Sequence, residues 1–197
     1  MIPGAGFRDP ALAAQGHFRA LLDAMAHPGR IVLLEADRPE PPTPMAAAAF
    51  ALALTLLDHE TPVWLGSSLH GPAVAGGLRF HCGCPITADP AASAFAFAVP
   101  EEVGRLDRFA QGTADYPDRS TTLVLQVRAL AGEGPRAMRL TGPGIETAHM
   151  LFVPDVPDQL WAELAANADR FPLGVDLVLV AGGLIAALPR STRVKRT

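Results

Sequence analysis

Lysine is nearly absent from this chain of 197 residues, because Lys195 is the single lysine among 16 basic residues. Chemistry that needs a lysine inside a folded site is therefore excluded from all but the last three positions. No internal lysine is available to form a Schiff base with pyridoxal phosphate or with a carbonyl substrate. The motif G-x-x-x-x-G-K-[ST] is also missing, which excludes a nucleoside triphosphatase of that class.

Cysteines, long apolar runs and targeting signals are also scarce. Cys82 and Cys84 are the two cysteines, too few and too close for a disulfide framework. The longest apolar run, residues 45–57, is shorter than the roughly 20 residues that span a bilayer. The N-terminus has no basic segment followed by an apolar core, so we expect no signal peptide. These features predict a cytoplasmic protein without a membrane segment.

Charge is low for a soluble domain. Charged residues make up 18% of the chain and hydrophobic residues 49%, whereas charged residues are usually about a quarter. We therefore expect part of the surface to be covered by another chain. The net charge of −4 and the absence of a basic, aromatic stripe argue against nucleic acid as a partner.

The first segment is predicted to be a helix. Asp9 can cap it, Pro10 suits its first position and Gly29 can end it. Four apolar residues recur at helical spacing and predict an inward stripe: Phe18, Leu21, Leu22 and Met25. His17, Arg19 and Asp23 fall away from that stripe.

The remaining pattern alternates helices and strands. Further helices are predicted at 45–57, 69–80, 101–109 and 156–168, and strands at 31–34, 63–65, 95–99, 121–127, 138–141, 175–181 and 184–188. Gly182-Gly183 predicts a hairpin between the last two strands, and the segment 132–135 predicts another between 121–127 and 138–141. The pattern indicates one α/β domain over residues 1–197, with a mixed sheet and loose termini at 1–8 and 193–197.

The cysteine pair is the first motif with possible chemistry. Cys82 and Cys84 beside His81 could bind zinc, but a closed site needs four ligands. The missing ligand would have to be a distant histidine such as His59 or His149. Buried free cysteines are common and inert, so we predict no metal.

Three other motifs have ordinary structural explanations. Residues 141–145, Thr-Gly-Pro-Gly-Ile, could hold a phosphate on backbone N–H groups, but such a segment after a strand is more often a turn. Residues 58–60, Asp-His-Glu, resemble an acid–base cluster, yet they fit a capping element at a helix end. No serine lies in a G-x-S-x-G elbow, and no G-x-G-x-x-G follows the first strand. The residues alone therefore yield an α/β domain without a convincing active site.

An ordered series of short motifs nevertheless resembles a known family, the H subunit of the bacterial carbon–phosphorus lyase core complex. The resemblance covers roughly residues 17–192, and its order and spacing are specific. It rests on His17-Phe18-Arg19, Pro28-Gly29, Glu60-Thr61-Pro62-Val63-Trp64, Leu78-Arg79-Phe80-His81, Leu140-Thr141-Gly142-Pro143-Gly144-Ile145, Phe171-Pro172-Leu173-Gly174 and Pro189-Arg190-Ser191-Thr192.

The resemblance implies a three-layer α/β fold similar to type I pyridoxal-phosphate transferases, without a cofactor site. It implies a homodimer in isolation and association with sister subunits otherwise. The complex would transfer a phosphonate onto the ribose triphosphate of ATP with loss of adenine. No catalytic residue is carried over from the family, which indicates an auxiliary subunit and not an enzyme by itself.

A phosphonate- or nucleotide-binding subunit with its own small-molecule site remains the alternative. Its best candidate residues are Arg79, His81 and Arg190. Arginines can bind phosphoryl oxygens through two N–H groups, and a histidine can transfer a proton. The competing explanations are surface salt bridges for the two arginines and a hydrogen-bonded core position for the histidine.

Overall fold

The computed structural model describes residues 4–35 and 37–197. The helices are α1 (Pro10–Ala26), α2 (Ala47–Leu56), α3 (Pro72–Cys82), α4 (Pro100–Val103) and α5 (Asp158–Ala168). The strands are β1 (Val32–Leu33), β2 (Val63–Leu65), β3 (Ile86–Thr87), β4 (Phe95–Ala98), β5 (Thr122–Gln126), β6 (Met138–Thr141), β7 (His149–Leu151), β8 (Asp176–Ala181), β9 (Leu184–Leu188) and β10 (Arg193–Arg196).

A mixed seven-stranded sheet forms the centre, in the order β1-β9-β8-β5-β4-β2-β3. Strands β3, β2, β4, β5 and β8 run parallel, and β9 returns antiparallel beside β8. Strands β10, β6 and β7 form a separate antiparallel sheet. The prediction of an α/β domain with a mixed sheet is confirmed.

The central sheet is apolar on both faces because side chains alternate along each strand. In β5, Val124 packs with α1, α2 and α3, whereas Leu123 and Leu125 pack with α5 and the small sheet. Strand β8 repeats this division, with Val178 on the first face and Leu177 on the second. Both faces are therefore covered, as parallel strands require.

Helix α2 lies at the centre of the first face and is built largely of alanine. The side chains of Ala49, Ala51 and Ala53 are buried, and the helix contacts α1 and α3 together with β5 and β8. Small side chains allow the helix backbone to approach its neighbours closely. The predicted buried helix at 45–57 is confirmed.

The orientation predicted for α1 is wrong for Phe18 and Leu22 but right for Leu21, which is 8% exposed. His17 is 1% exposed, whereas Phe18 is 45% and Leu22 is 51% exposed. The buried face holds two alanines, Leu21 and His17, whose ring stacks on Phe7 and whose Nε2 lies 3.1 Å from the carbonyl oxygen of Asp37. The imidazole therefore occupies a core position, although its Nδ1 has no hydrogen-bond partner in the described part of the chain, while Phe18 and Leu22 face outward.

The predicted hairpin between 121–127 and 138–141 is also wrong. Strand β5 pairs with β4 and β8 in the central sheet, while β6 pairs with β7 and β10 in the other. The three apolar residues at the centre of β5 need cover on both faces, which a solvent-facing hairpin could not give. The hairpin joining β8 and β9 through Gly182, with φ +60°, is confirmed.

The chain ends differ from the expected loose segments. Residues 193–196 form β10, which pairs along its length with β6 because Val194 is buried in the core while its neighbours remain exposed. At the N-terminus, residues 1–3 lie outside the described part. The following segment is bonded to the rest of the chain, because the carbonyl oxygen of Ala5 accepts a hydrogen bond of 2.9 Å from the Glu40 N–H.

Two other helices differ from their predicted bounds. The predicted helix at 101–109 is split into α4 and a short turn at Leu106–Arg108, because Gly104 adopts φ +63° between them. Helix α3 is shifted to begin at Pro72. None of the helices in the described part of the chain is long and apolar enough to cross a bilayer.

The packing of α2 predicts the effect of enlarging one alanine. Ala49→Leu adds three carbons at a fully buried position and should lower the free energy of unfolding by about 1–3 kcal/mol, measured by urea denaturation. Ala166→Leu, on the exposed face of α5, should change it by less than about 0.5 kcal/mol. Equal effects of the two substitutions would contradict the close packing of α2.

Candidate functional site

Arg190 follows β9 and hydrogen-bonds to several segments at the amino end of the parallel strands. Its Nε donates to Asp176 Oδ1 at 3.2 Å and its Nη2 to Oδ2 at 2.5 Å. Its Nη1 donates to the carbonyl oxygens of Pro117 at 2.6 Å and Pro172 at 3.3 Å. Nη2 also donates to the hydroxyl of Ser120. The five guanidinium N–H groups thus have acceptors within the chain.

This saturation bears on the substrate-binding role predicted for Arg190. The side chains of Arg190 and Asp176 are only 14% and 16% exposed. A phosphonate would have to displace acceptors already in place, although an open cavity of about 340 Å³ lies alongside. The geometry favours a structural role, and the binding role stays a prediction.

His81 and Arg79 lie on α3, between β2 and β3 near the opposite edge of the central sheet. His81 Nε2 lies 3.0 Å from the carbonyl oxygen of Gly4, and its ring packs edge-on against Phe50. A carbonyl only accepts, so this nitrogen carries the proton and fastens the N-terminal segment to the helices. Arg79 is exposed. The structure thus does not bring these two residues together with Arg190.

The two cysteines at the end of α3 interact with each other. The Cys82 thiol lies 3.6 Å from the carbonyl oxygen of Ala53, and Cys84 is buried. A hydrogen bond between the thiols raises the pKa of Cys82, as does burial, and lowers the pKa of Cys84. Among residues 4–35 and 37–197 there is no group of three or more potential metal ligands. His149, proposed as a distant zinc ligand, lies on β7.

The segment 141–145 is a turn after β6. The Ile145 N–H donates to the Gly142 carbonyl oxygen at 3.1 Å, and Gly144 adopts φ +80° directly against the carbonyl oxygen of Ala26. This close approach requires glycine at position 144. The contacts therefore favour the ordinary turn over a phosphate loop.

Residues 58–60 form a turn after α2. Asp58 accepts hydrogen bonds from the Thr61 hydroxyl at 2.6 Å and from the Glu60 N–H at 2.9 Å. These bonds, the Thr61 hydroxyl foremost, lower the pKa of Asp58, and the carboxylate is exposed. The arrangement matches the capping interpretation of this cluster.

A carboxylate that the sequence pattern did not single out lies between the carboxyl ends of β2 and β4. Glu102 accepts hydrogen bonds from the Ser67 hydroxyl at 2.6 Å, the Ser68 N–H at 2.7 Å and the Ser68 hydroxyl at 3.1 Å. The Val99 N–H adds a fourth at 3.3 Å. The chain leaves β2 toward β3 and leaves β4 toward β5, so this is a switch point of the sheet, where ligand crevices form.

The electrostatics of Glu102 favour a fixed anion over a general base. Burial raises its pKa, but the bonds from Ser67, Ser68 and Val99 outweigh burial and lower it overall. A carboxylate with a lowered pKa is a weak base at neutral pH. No local motif marks Glu102, since its partner serines lie 34 and 35 residues away; only the strand order could have revealed it.

The outward face of α1 exposes two large apolar side chains, Phe18 and Leu22. Phe18 is the middle residue of the helix, and Leu22 follows it on the same face, with the half-buried Met25 at the next turn. Leu33 of the edge strand β1, which α1 contacts, is exposed as well. We define Ala11, Ala14, Phe18, Leu22 and Met25 as the α1 face. A surface of this kind is typical of contact with another protein.

Comparisons with known proteins decide the family. The profile of the family described as "Bacterial phosphonate metabolism protein (PhnH)" matches residues 5–195. The chain belongs to this family. It is 42% identical over 200 aligned positions to the "Alpha-D-ribose 1-methylphosphonate 5-triphosphate synthase subunit PhnH" of Rhizobium meliloti (strain 1021), covering 99% of this chain and 96% of the relative.

A second relative of the phosphonate metabolism family carries a related description. The "Putative C-P lyase subunit protein HtxG" of Stutzerimonas stutzeri is 35% identical over 184 positions, which cover 91% of this chain and 85% of that protein. Both relatives are therefore described as subunits. The family resemblance seen in the ordered motifs is confirmed.

The Arg190 network predicts a stability effect. Arg190→Ala leaves Asp176 without its cation in a largely buried position and should lower the free energy of unfolding by about 3 kcal/mol, measured by urea denaturation. Arg79→Ala, at an exposed position, should change it by less than about 0.5 kcal/mol. A loss below about 0.5 kcal/mol for Arg190→Ala would contradict the anchoring role.

Glu102 predicts a pH dependence. Because its folded pKa is lower than its ordinary value of 4.5, its stabilisation is present above that value and is lost as the pH falls through the lowered pKa. The stabilities of the wild type and Glu102→Gln, measured by urea denaturation, should therefore differ most at neutral pH and converge as the pH falls from 4.5 through the lowered pKa. A difference that grows on acidification would have the wrong sign.

Proposed function

We propose that this chain is an auxiliary subunit of a carbon–phosphorus lyase core complex. In that role it supports transfer of a phosphonate onto the ribose triphosphate of ATP with loss of adenine. The observation that carries the proposal is the exposed α1 face on a chain whose relatives are described as subunits. The chain's contribution is association, and the chemistry belongs to its partners.

We further propose that two copies associate through the α1 face. Around Phe18, the middle residue of a 17-residue helix, large residues lie on one side and small ones on the other. Antiparallel pairing across a two-fold axis places Leu22 opposite Ala14 and Met25 opposite Ala11 of the second copy. Such alternation of large and small residues gives a self-complementary seam.

The sister subunits would add to this contact. The edge strand β1 pairs with β9 on one side, and its exposed Leu33 extends the apolar surface next to α1. An open strand edge beside an apolar helix offers both backbone hydrogen bonds and buried area to a partner. The chain therefore offers one surface to a second copy of itself and an adjacent strand edge to a sister subunit.

We also propose that the fold is a single domain related to type I pyridoxal-phosphate transferases, without the cofactor. Two apolar clusters cover opposite faces of one sheet, which supports a single domain. The residues present do not fit the cofactor, because Lys195 is the sole lysine and lies exposed on β10. A cytoplasmic location follows from the need of the proposed reaction for a nucleoside triphosphate.

The α1 face predicts the oligomeric state. The wild-type chain should sediment as a dimer, and Phe18→Asp should sediment as a monomer with an unchanged urea midpoint, because the side chain is already half exposed. Phe171→Asp, at a residue that is 63% exposed elsewhere, should remain dimeric. A dimer that survives Phe18→Asp and Leu22→Asp would place the contact on another surface.

Association with the sister subunits is tested separately. Co-expression with those subunits from the same organism, followed by affinity purification of one of them, should retain this chain in a fixed stoichiometry. A chain that is monomeric alone and also fails to co-purify would overturn the subunit role.

A further inference from the structure

A cavity of about 490 Å³ opens between the segment after α1 and the edge of β7. Its volume lies in the usual range for small-molecule sites. Two histidines and one arginine line it, together with small and apolar residues: His27, Gly29, Arg30, Ile31, Gly132, His149 and Met150. None of these residues belongs to the sites predicted from the sequence for substrate binding.

The two imidazoles are held in the same way. His27 Nδ1 lies 3.0 Å from the carbonyl oxygen of Asp23, and His149 Nδ1 lies 2.8 Å from that of Pro28. A carbonyl oxygen only accepts, so each Nδ1 carries a proton. Nε2 is then the ring nitrogen left for an external ligand, and within residues 4–35 and 37–197 neither Nε2 has a hydrogen-bond partner. Orientation of one nitrogen by a carbonyl is typical of functional histidines.

Arg30 adds a positive charge at the rim. Its side chain is 56% exposed, and its Nη1 contacts the two carboxylate oxygens of Asp23 at 3.3 and 3.2 Å. Nε and Nη2 of the guanidinium keep their N–H groups for another acceptor. Asp23 balances this charge, and its Oδ1 also lies 3.1 Å from His27 Nδ1.

The lining segment is fixed before any ligand arrives. The Gly29 N–H donates to the Ala187 carbonyl oxygen of β9 at 3.0 Å, while His149 holds Pro28 from the other side. Gly29 adopts φ +81° with Leu140 directly against it, so a larger residue would displace the segment. A cavity with its polar groups already in position loses little conformational entropy on binding.

We propose that this cavity binds the phosphoryl or phosphonyl oxyanion of a small organic ligand, through His27, His149 and Arg30. The guanidinium N–H groups of Arg30 donate to such an oxyanion, and each free Nε2 accepts the P–O–H proton of a monoprotonated phosphate or phosphonate. The choice of a phosphorus oxyanion over a carboxylate rests on the proposed function, whereas the cavity and its donors do not. This site is separate from Arg190 and from the α1 face.

Titration of the isolated full-length chain tests the assignment. Inorganic triphosphate and methylphosphonate are added in separate calorimetric experiments, and histidine ring signals are followed by NMR. At least one of the two should bind saturably and shift the ring signals of His27 and His149, while the exposed His59 and His70 stay unchanged. The tighter of the two identifies the source of the oxyanion.

Three variants make the test specific. His149→Asn keeps a donor for the Pro28 carbonyl oxygen but removes Nε2, and Arg30→Gln removes the charge at an exposed position; each should weaken binding about tenfold. Arg79→Gln should leave affinity within about twofold.

Absence of saturable binding by either probe would overturn the assignment. Unchanged affinity in both cavity variants, or a loss confined to Arg79→Gln, would also overturn it. Co-purification of His149→Asn with the sister subunits is scored separately, so a failed cavity assignment is distinguishable from a failed subunit role.

Discussion

The parallel strands at the centre of the sheet are apolar on both faces, and the other layers are arranged to cover them. Val124 needs helices on one side, and Leu123 and Leu125 need α5 and the small sheet on the other. Alanine-rich α2 satisfies the first requirement at close range. With these strands buried, the polar loops that connect them lie at the two ends of the sheet. Arg190 hydrogen-bonds to the loops at one end, and Glu102 to the loop after β2 at the other.

Local patterns predicted most elements but not their partners. The hairpin predicted from Gly182-Gly183 is confirmed, because a two-residue turn can join only adjacent antiparallel strands. The longer connection between β5 and β6 carried no such information, and burial of β5 on both faces decided the pairing. Helix α1 shows the same limit, because His17 is buried through contacts with Phe7 and Asp37, far from it in the chain.

The candidate site residues show the same limit of local patterns. The chemistry of Arg79, His81 and Arg190 made them candidates for binding a phosphonate, but His81 and Arg190 are hydrogen-bonded to backbone carbonyl oxygens of distant segments. Composition alone could not show that these side chains are already hydrogen-bonded within the chain. The cavity beside β7 was equally hidden, because His27 and His149 are 122 positions apart and meet only through Pro28. The low charge predicted a surface covered by another chain, which stays a prediction, and it did not indicate which helix would carry that surface.

If the chain works through association by the α1 face, the exposed side chains of that face become covered on assembly. Oxidative footprinting of side chains tests it most directly, with the assembled complex compared to a dilute, dissociated chain. We expect Phe18 and Leu22 to lose reactivity on assembly while the exposed Phe171 keeps it. Equal labelling of Phe18 in the assembled and dissociated states would contradict association through this face.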